Sequence, residues 1–222
     1  MPSDQRVQAQ LVEIQELLPG LGYSIEDITG PTGPQGGALT ERDLEEDDVE
    51  AVYSITARAR GPVFSINLST SSPYASVTYR LNTIDHLSDH LTETQVSELL
   101  QDNVSWDKIS EERKIELRRE ALERVLNNTD PREWVGGAFN LSVYASGWRV
   151  KYDQEVNSNG FPLMYRCAKA FFPYSEEITL RRLDEAIDPV IIAGERGLRY
   201  LDSSFYIDTE GQPEEYTLKV RH

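Results

Sequence analysis

The chain has 222 residues with 38 acidic and 22 basic side chains, so its formal net charge is −16. A chain of this length can bury a core without metal ions or disulfides, and the single cysteine, Cys167, excludes an intramolecular disulfide. No apolar run is long enough to cross a bilayer and no secretory signal pattern opens the chain, so we expect a soluble cytoplasmic protein.

The first predicted elements are a helix and a long connector. Ser3 is a favourable N-cap, and apolar residues follow at spacings of 4, 3 and 4 from Val7 to Leu18, which predicts an amphipathic helix. Residues 29–48 combine the stretch GPTGPQGGA with an acidic run, which indicates a flexible connector. A phosphate-binding loop would need Gly-Lys-Ser/Thr before a helix, and acidic residues follow the glycines instead.

Three segments with period-two alternation then predict strands. Apolar and polar residues alternate in 49–60, 64–68 and 75–81, with turn residues between the segments. This pattern is typical of an antiparallel meander with one buried and one solvent-facing side. Two helices are predicted next, over 93–102 after Thr92 or Thr94 and over 111–127 after Ser110, because serine and threonine are preferred N-caps.

The same order of elements recurs in the second half of the chain. Alternation over 139–144 and 148–152, followed by a strand over 161–172, predicts a second meander. Ser175 is the predicted cap of a helix over 176–187. The pair Asp188–Pro189 is typical of a new helix start, because proline is favoured at the first helical position.

These elements predict an α+β fold of two αβββα units, in which antiparallel three-stranded meanders pack against helices. The units cover residues 1–104 and 105–208, and a tail over 209–222 follows. An offset of 86 residues places one hairpin on the other, which indicates a duplication. Two unrelated meanders are the alternative.

Two motifs are candidates for chemistry. His86 and His90 stand four residues apart, so a helix would bring both to one face, where they could bind Zn²⁺ with a carboxylate. A zinc protease would have Glu directly after the first histidine, whereas Leu87 stands there. An exposed polar connection between strand and helix is the alternative, and we predict no metal and no cofactor.

Cys167 lies mid-strand with no base placed near it, which favours a small buried side chain over a nucleophile. We therefore predict no catalytic residues and no enzyme activity.

The basic residues are unusual in kind. Only five of the 22 are lysines, and the composition resembles that of proteins from salt-accumulating archaea. In such a cytoplasm carboxylates keep the surface hydrated, and the repulsion between them is damped because the Debye length is roughly 3 Å at 1 M salt. The alternative is an ordinary acidic protein in dilute cytosol.

The basic residues are also concentrated in the predicted sheets. Residues 49–82 hold three bases and one acid, 138–171 hold four bases and two acids, and the rest of the chain carries a net charge of −20. Strand alternation and the neighbouring tyrosine give these candidate partner-binding residues: Arg58, Arg60, Arg80, Tyr144, Arg149 and Lys151. Such faces can pair internally with acidic helices or with the acidic run over 41–50, receive a partner protein, or bind nucleic acid as a platform with aromatic residues.

The order of helix, three-stranded meander and helix, ending in FFPYSEEITLRRLDEAIDPVIIAGERGLRYL, resembles the small chaperones of type III secretion and the related YbjN-type regulators. That resemblance implies an acidic, non-catalytic α+β protein that offers a surface to polypeptides, with two linked units in place of a dimer. It covers the order of elements over most of the chain, and no binding residue is carried over. We therefore expect a chaperone- or adaptor-like module that binds another protein. Nucleic-acid binding by basic sheet faces is the alternative.

Overall fold

The structure is a computed structural model that describes residues 1–33, 37–40, 50–59, 62–101, 105–130, 132–133, 150–156, 161–174 and 177–221. Within these ranges there are five α-helices, namely α1 Asp4–Leu17, α2 Thr83–Ser88, α3 Glu93–Leu100, α4 Glu111–Asn128 and α5 Leu180–Ser204. The strands are β1 Ser24–Thr32, β2 Val52–Arg58, β3 Val63–Ser69, β4 Ala75–Asn82, β5 Lys151–Val156, β6 Pro162–Phe171, β7 Phe205–Asp208 and β8 Thr217–Val220.

The strands form a six-stranded sheet of order β1-β2-β3-β4-β6-β5 and a separate β7–β8 hairpin. Strands β1 to β4 pair antiparallel in sequence order, so the predicted first meander and the α+β class are confirmed. The described strands of the second meander lie in the same sheet as those of the first. The predicted strand over 139–144 lies outside the described residues, and the duplication stays a prediction.

The chain divides into two compact units, each assembled from separate segments. The first comprises the described residues of Met1–Arg80, Ala145–Tyr152 and Arg166–Glu195. The second comprises those of Leu81–Tyr144, Asp153–Tyr165 and Arg196–His222.

Three helix starts follow the predicted capping chemistry. Ser3 accepts a hydrogen bond from the Arg6 N–H, and Ser110 caps α4 in the same way. At α3 the Thr92 side chain accepts from the Gln95 N–H while the Gln95 side chain accepts from the Thr92 N–H, which is a full capping box. Because these side chains satisfy backbone groups that have no partner within a helix, the predicted starts of α1, α3 and α4 are confirmed.

Strand β1 was not predicted, and the connector begins later than residue 29. The strand pairs with β2 through two register shifts, between Ile25 and Asp27 and between Thr29 and Thr32. These shifts break the alternation that identifies a strand in the sequence. Gly30 explains part of the glycine-rich stretch, since its φ is +124° and an added Cβ would lie 2.7 Å from the Val52 carbonyl oxygen. The acidic residues 41–49 lie outside the described residues.

The core of the first unit lies between the apolar face of the sheet and the helices α1 and α5. The inward side chains of the meander are buried, as are those of the helical stripe on α1 that the sequence predicts. On the sheet these are Tyr53, Ile55, Ala57, Phe64, Ile66, Leu68, Val77 and Tyr79. Helix α5 approaches the same face closely, since Gly194 lies against the ring of Tyr79.

Helix α5 runs through the predicted break at Asp188–Pro189, so the prediction of two helices is wrong. Pro189 has no N–H, which leaves the Glu185 carbonyl without its helical donor. The Lys169 ammonium donates to that carbonyl at 2.6 Å and takes the place of the missing bond. The predicted cap Ser175 is not among the described residues. None of the described helices combines the length and apolar character needed to cross a membrane.

The second unit contains α2, α3, α4 and the β7–β8 hairpin, and β8 lies within the predicted tail over 209–222. Thr129, which follows α4, connects the helix to the hairpin. Its buried hydroxyl donates to the Val125 carbonyl at 2.7 Å and accepts from the Leu218 N–H at 2.8 Å. A strand of only four residues gives too short an alternation to be read from the sequence.

Replacing Gly194 by alanine tests the packing of α5 on the sheet. Alanine is favoured over glycine in a helix by about 1 kcal/mol, but the added Cβ would lie 2.5 Å from Tyr79 Cδ1. We expect Gly194→Ala to lower the free energy of unfolding by about 1–3 kcal/mol, the usual cost of overpacking. Denaturant titration in molar KCl measures it. Gly37→Ala is the control, because nothing lies within 4 Å of its added Cβ. A Gly194→Ala protein as stable as the parent would contradict this packing.

Candidate functional site

The face of the sheet opposite the core, here called the polar face, consists of cross-strand rows. Its middle rows are Thr56–Ser65–Thr78 and Ser54–Asn67–Ser76. The flanking row Arg58–Val63–Arg80 follows from the same register carried one pair further. At the other end Val52 pairs with Ser69, and Tyr74 lies directly before β4. The face therefore changes along the strands from cationic, through hydroxyl- and amide-bearing, to partly aromatic.

The cationic end brings two predicted binding residues together. Arg58 and Arg80 lie two strands apart in one row, which corresponds to roughly 10 Å between their backbones. Arg58 forms an ion pair with Glu26 of β1, while Arg80 is exposed. Arg58 is therefore paired within the protein, with a carboxylate of a neighbouring strand. This ion pair could not be found in the sequence, because β1 itself was not predicted.

The aromatic end carries a pair of exposed rings. Tyr74 and Phe172 are 47% and 52% exposed, and their ring centroids lie 4.7 Å apart in an edge-to-face arrangement. Beside them Glu50 accepts hydrogen bonds from the hydroxyls of Ser71 and Ser69, which hold the pKa of its carboxyl below the usual value. This end is therefore apolar with a fixed anion next to it.

The remaining predicted binding residues divide into two groups. Lys151 is exposed at the start of β5. Arg60, Tyr144 and Arg149 lie outside the described residues, and their role stays a prediction. Phe172 was missed, although the alternation of β6 carries a signal for it, since exposed Ala170 precedes it at a spacing of two.

A second constellation forms around the two histidines. Residues 83–88 form α2, which carries His86, and His90 lies in the turn that follows. His86 Nε2 lies 2.5 Å from Asp202 Oδ1, and His90 Nε2 lies 3.4 Å from the same oxygen. The three side chains offer one donor atom each, all within 4.8 Å of one another.

Contacts around α2 hold the histidines in place. The Asn82 side chain caps the helix by accepting from the Asp85 N–H at 3.2 Å, and Leu87 is buried beneath the turn. The Asp85 carboxylate pairs with Arg119 of α4. Asp202 comes from the last turn of α5, 116 residues after His86. No spacing rule in the sequence connects the two positions.

A cleft of about 200 Å³ opens beside His90 and Asp202. Its wall is mixed, with slightly more polar than apolar surface, and is completed by these residues: Leu87, Gln95, Phe205, Tyr206, Ile207, Leu218 and Arg221. The Arg221 guanidinium lies over the Tyr206 ring, 5.1 Å from its centroid. There is room for a water molecule or a small ligand next to the histidine cluster.

Comparison with known proteins gives no family for this chain. No family model matches it, and no curated protein matches it. One solved structure, an uncharacterized protein from Methanothermobacter thermautotrophicus, is similar with a TM-score of 0.48 and 8% identity, over 87% of this chain and 96% of that chain. At this level of similarity we draw nothing from the match.

Cys167 can be tested directly because it is the one cysteine of the chain. Burial raises the pKa of its thiol to about 11, against an ordinary value of roughly 8.5. The thiolate fraction at pH 8 is therefore lower by roughly 10²-fold than in the unfolded chain. We expect a chromogenic disulfide reagent to react at least that much more slowly with native than with denatured protein, and the native rate to rise about tenfold per pH unit from 8 to 10. A fast native reaction, or one that levels off below pH 9, would rule out this environment.

Proposed function

We propose that the protein is a non-catalytic module that binds another polypeptide on the polar face of its first unit. The observation that carries the proposal is the gradient along that face, from Arg58 and Arg80 at one end to Tyr74 and Phe172 at the other. The bound segment would place an acidic residue near Arg80 and an apolar side chain against the aromatic pair. A spacing of about 20 Å between the ends corresponds to roughly six residues of extended chain.

The chemistry of the face favours a polypeptide as the partner. Among the described residues, α1 and α5 contact the apolar side of this sheet. On the opposite face Thr78 is buried, and half-buried serine, threonine and asparagine side chains offer hydroxyl and amide hydrogen bonds. Two exposed aromatic rings in contact provide an apolar anchor point of the kind common at the centres of protein interfaces.

The salt concentration sets how much the cationic end and the aromatic end of the polar face each contribute to the binding free energy. If the composition reflects a salt-accumulating cytoplasm, as we also propose, charges there are screened over roughly 3 Å. An exposed ion pair then contributes at most about 1 kcal/mol, while burying one aromatic side chain contributes about 1.5–3 kcal/mol. The aromatic pair therefore provides most of the affinity, and Arg80 sets the orientation of the bound segment.

Nucleic acid is the competing ligand. Its binding would rest on phosphate contacts, which weaken linearly in log K with log salt, and the described face offers a single exposed aromatic pair for stacking. Molar KCl therefore favours the polypeptide over the nucleic acid.

The test uses the full chain as bait in native cytosol at 2 M KCl, with the captured polypeptide then purified and titrated. We expect Tyr74→Ala with Phe172→Ala to weaken that binding at least roughly tenfold, as expected for loss of a buried aromatic anchor. Arg80→Glu should weaken it less than about fivefold at 2 M KCl and more strongly at low salt.

Arg181→Glu is the matched control, because Arg181 is an exposed arginine of the same unit that lies on α5. It should bind like the parent protein. Capture that nuclease abolishes would replace the proposal with the nucleic-acid alternative. A polypeptide whose affinity is unchanged by loss of both rings would show that the polar face is not its binding surface.

A further inference from the structure

We propose that His86, His90 and Asp202 form a binding site for one divalent transition-metal ion, with Zn²⁺ as the best fit. The site lies in the second unit, and the proposal is independent of the polypeptide-binding face. Its basis is the convergence of two imidazole nitrogens and one carboxylate oxygen from α2, its following turn and the end of α5.

The spacing of the donor atoms suits a metal ion. Ligand atoms bound to zinc at about 2.0–2.1 Å and at tetrahedral angles lie roughly 3.4 Å from one another. His90 Nε2 and Asp202 Oδ1 are 3.4 Å apart. His86 Nε2 and Asp202 Oδ1 are 2.5 Å apart and would separate by roughly 0.9 Å to admit the ion. The imidazole rings of His86 and His90 have centroids 5.3 Å apart at an angle of 77°, so they do not stack against each other.

The surrounding charge favours a cation at this point. Asp202 lies in the last turn of α5, which has no basic residue, and the helix dipole places a partial negative charge at that end. Asp85 and Asp89 flank the histidines on α2 and on the turn after it. Arg119 pairs with Asp85, and Arg118 lies 4.0 Å from Asp89. Arg221 lines the cleft beside the site. Asp85 and Asp89 thus have arginine neighbours, whereas both histidines contact Asp202. Asp202 is therefore the carboxylate that would bind the metal ion.

The types of donor select among metal ions. Two imidazole nitrogens with one carboxylate are typical ligands of zinc, copper, nickel and iron. Potassium and magnesium require oxygen donors in larger number, so the histidines give selectivity against the ions that dominate a salt-rich cytoplasm. Three protein ligands would leave a fourth position for a water molecule, and a cleft of about 200 Å³ lies beside His90 and Asp202.

The experiment titrates metal-free, full-length protein with Zn²⁺ in molar KCl against a colorimetric zinc indicator. We expect one equivalent of zinc to bind. Separate substitutions His86→Ala and His90→Ala should each weaken zinc binding by more than roughly 100-fold. Losing a residue that only hydrogen-bonds to a metal ligand costs roughly 10–100-fold, and these substitutions remove a ligand itself. Asp202→Asn should weaken it at least tenfold. Co²⁺ should give the intense visible absorption of tetrahedral coordination, and each substitution should abolish it.

Asp89→Asn is the matched control, since it removes the same charge next to His90 without removing a ligand. It should change the affinity less than about threefold, because molar salt screens a neighbouring charge. The His90 side chain is 47% exposed, so we expect His90→Ala to keep the fold. It therefore remains informative if His86→Ala does not fold. Zinc that binds without a fixed stoichiometry, or equal weakening by Asp89→Asn and Asp202→Asn, would overturn the proposal. Histidine variants that bind zinc like the parent protein would overturn it as well.

Discussion

The strict alternation of β2, β3 and β4 is the constraint on which the rest of the first unit depends. Because successive side chains on a strand point to opposite faces, Tyr53, Ile55 and Ala57 are buried only if Ser54 and Thr56 are turned away from the core. A slip of one residue in the pairing would exchange the two sets on a whole strand. The same register that buries the core therefore fixes the cationic row, the hydroxyl rows and the aromatic end of the polar face.

The parts of the fold that could be predicted are those with a local signal. Capping residues and the 3.6-residue stripe identify α1, α3 and α4, and alternation identifies β2, β3 and β4. Strand β1 lacks this signal because two register shifts break its alternation. Helix α5 continues through Pro189, and the Glu185 carbonyl that the proline leaves without a helical donor accepts from Lys169 of a different element. The local pattern around Pro189 contains no sign of that long-range bond.

The two candidate sites also differ in how far they could be predicted from local sequence patterns. Arg58 and Arg80 could be assigned to one face from alternation alone, and the register places them in one row. His86 and His90 could be paired from their spacing, whereas Asp202 is brought to them only by the course of α5.

The sites also differ in how they respond to salt. Cation–carboxylate contacts on an exposed face weaken when salt screens them, while metal–imidazole bonds are coordinate bonds between nitrogen donors and a transition metal. At high salt the ionic contacts of the polar face therefore contribute less than the coordinate bonds of the proposed metal site.

The register of the polar face is tested most directly by distances between spin labels in a Cys167→Ser background. One variant carries labels in place of Arg58 and Arg80, and the other carries them in place of Arg58 and Tyr74. We expect strong dipolar broadening for the first pair, whose backbones lie roughly 10 Å apart, and much weaker coupling for the second, which lies roughly 20 Å apart. Stronger coupling between positions 58 and 74 than between 58 and 80 would contradict the arrangement of charged and aromatic ends described above.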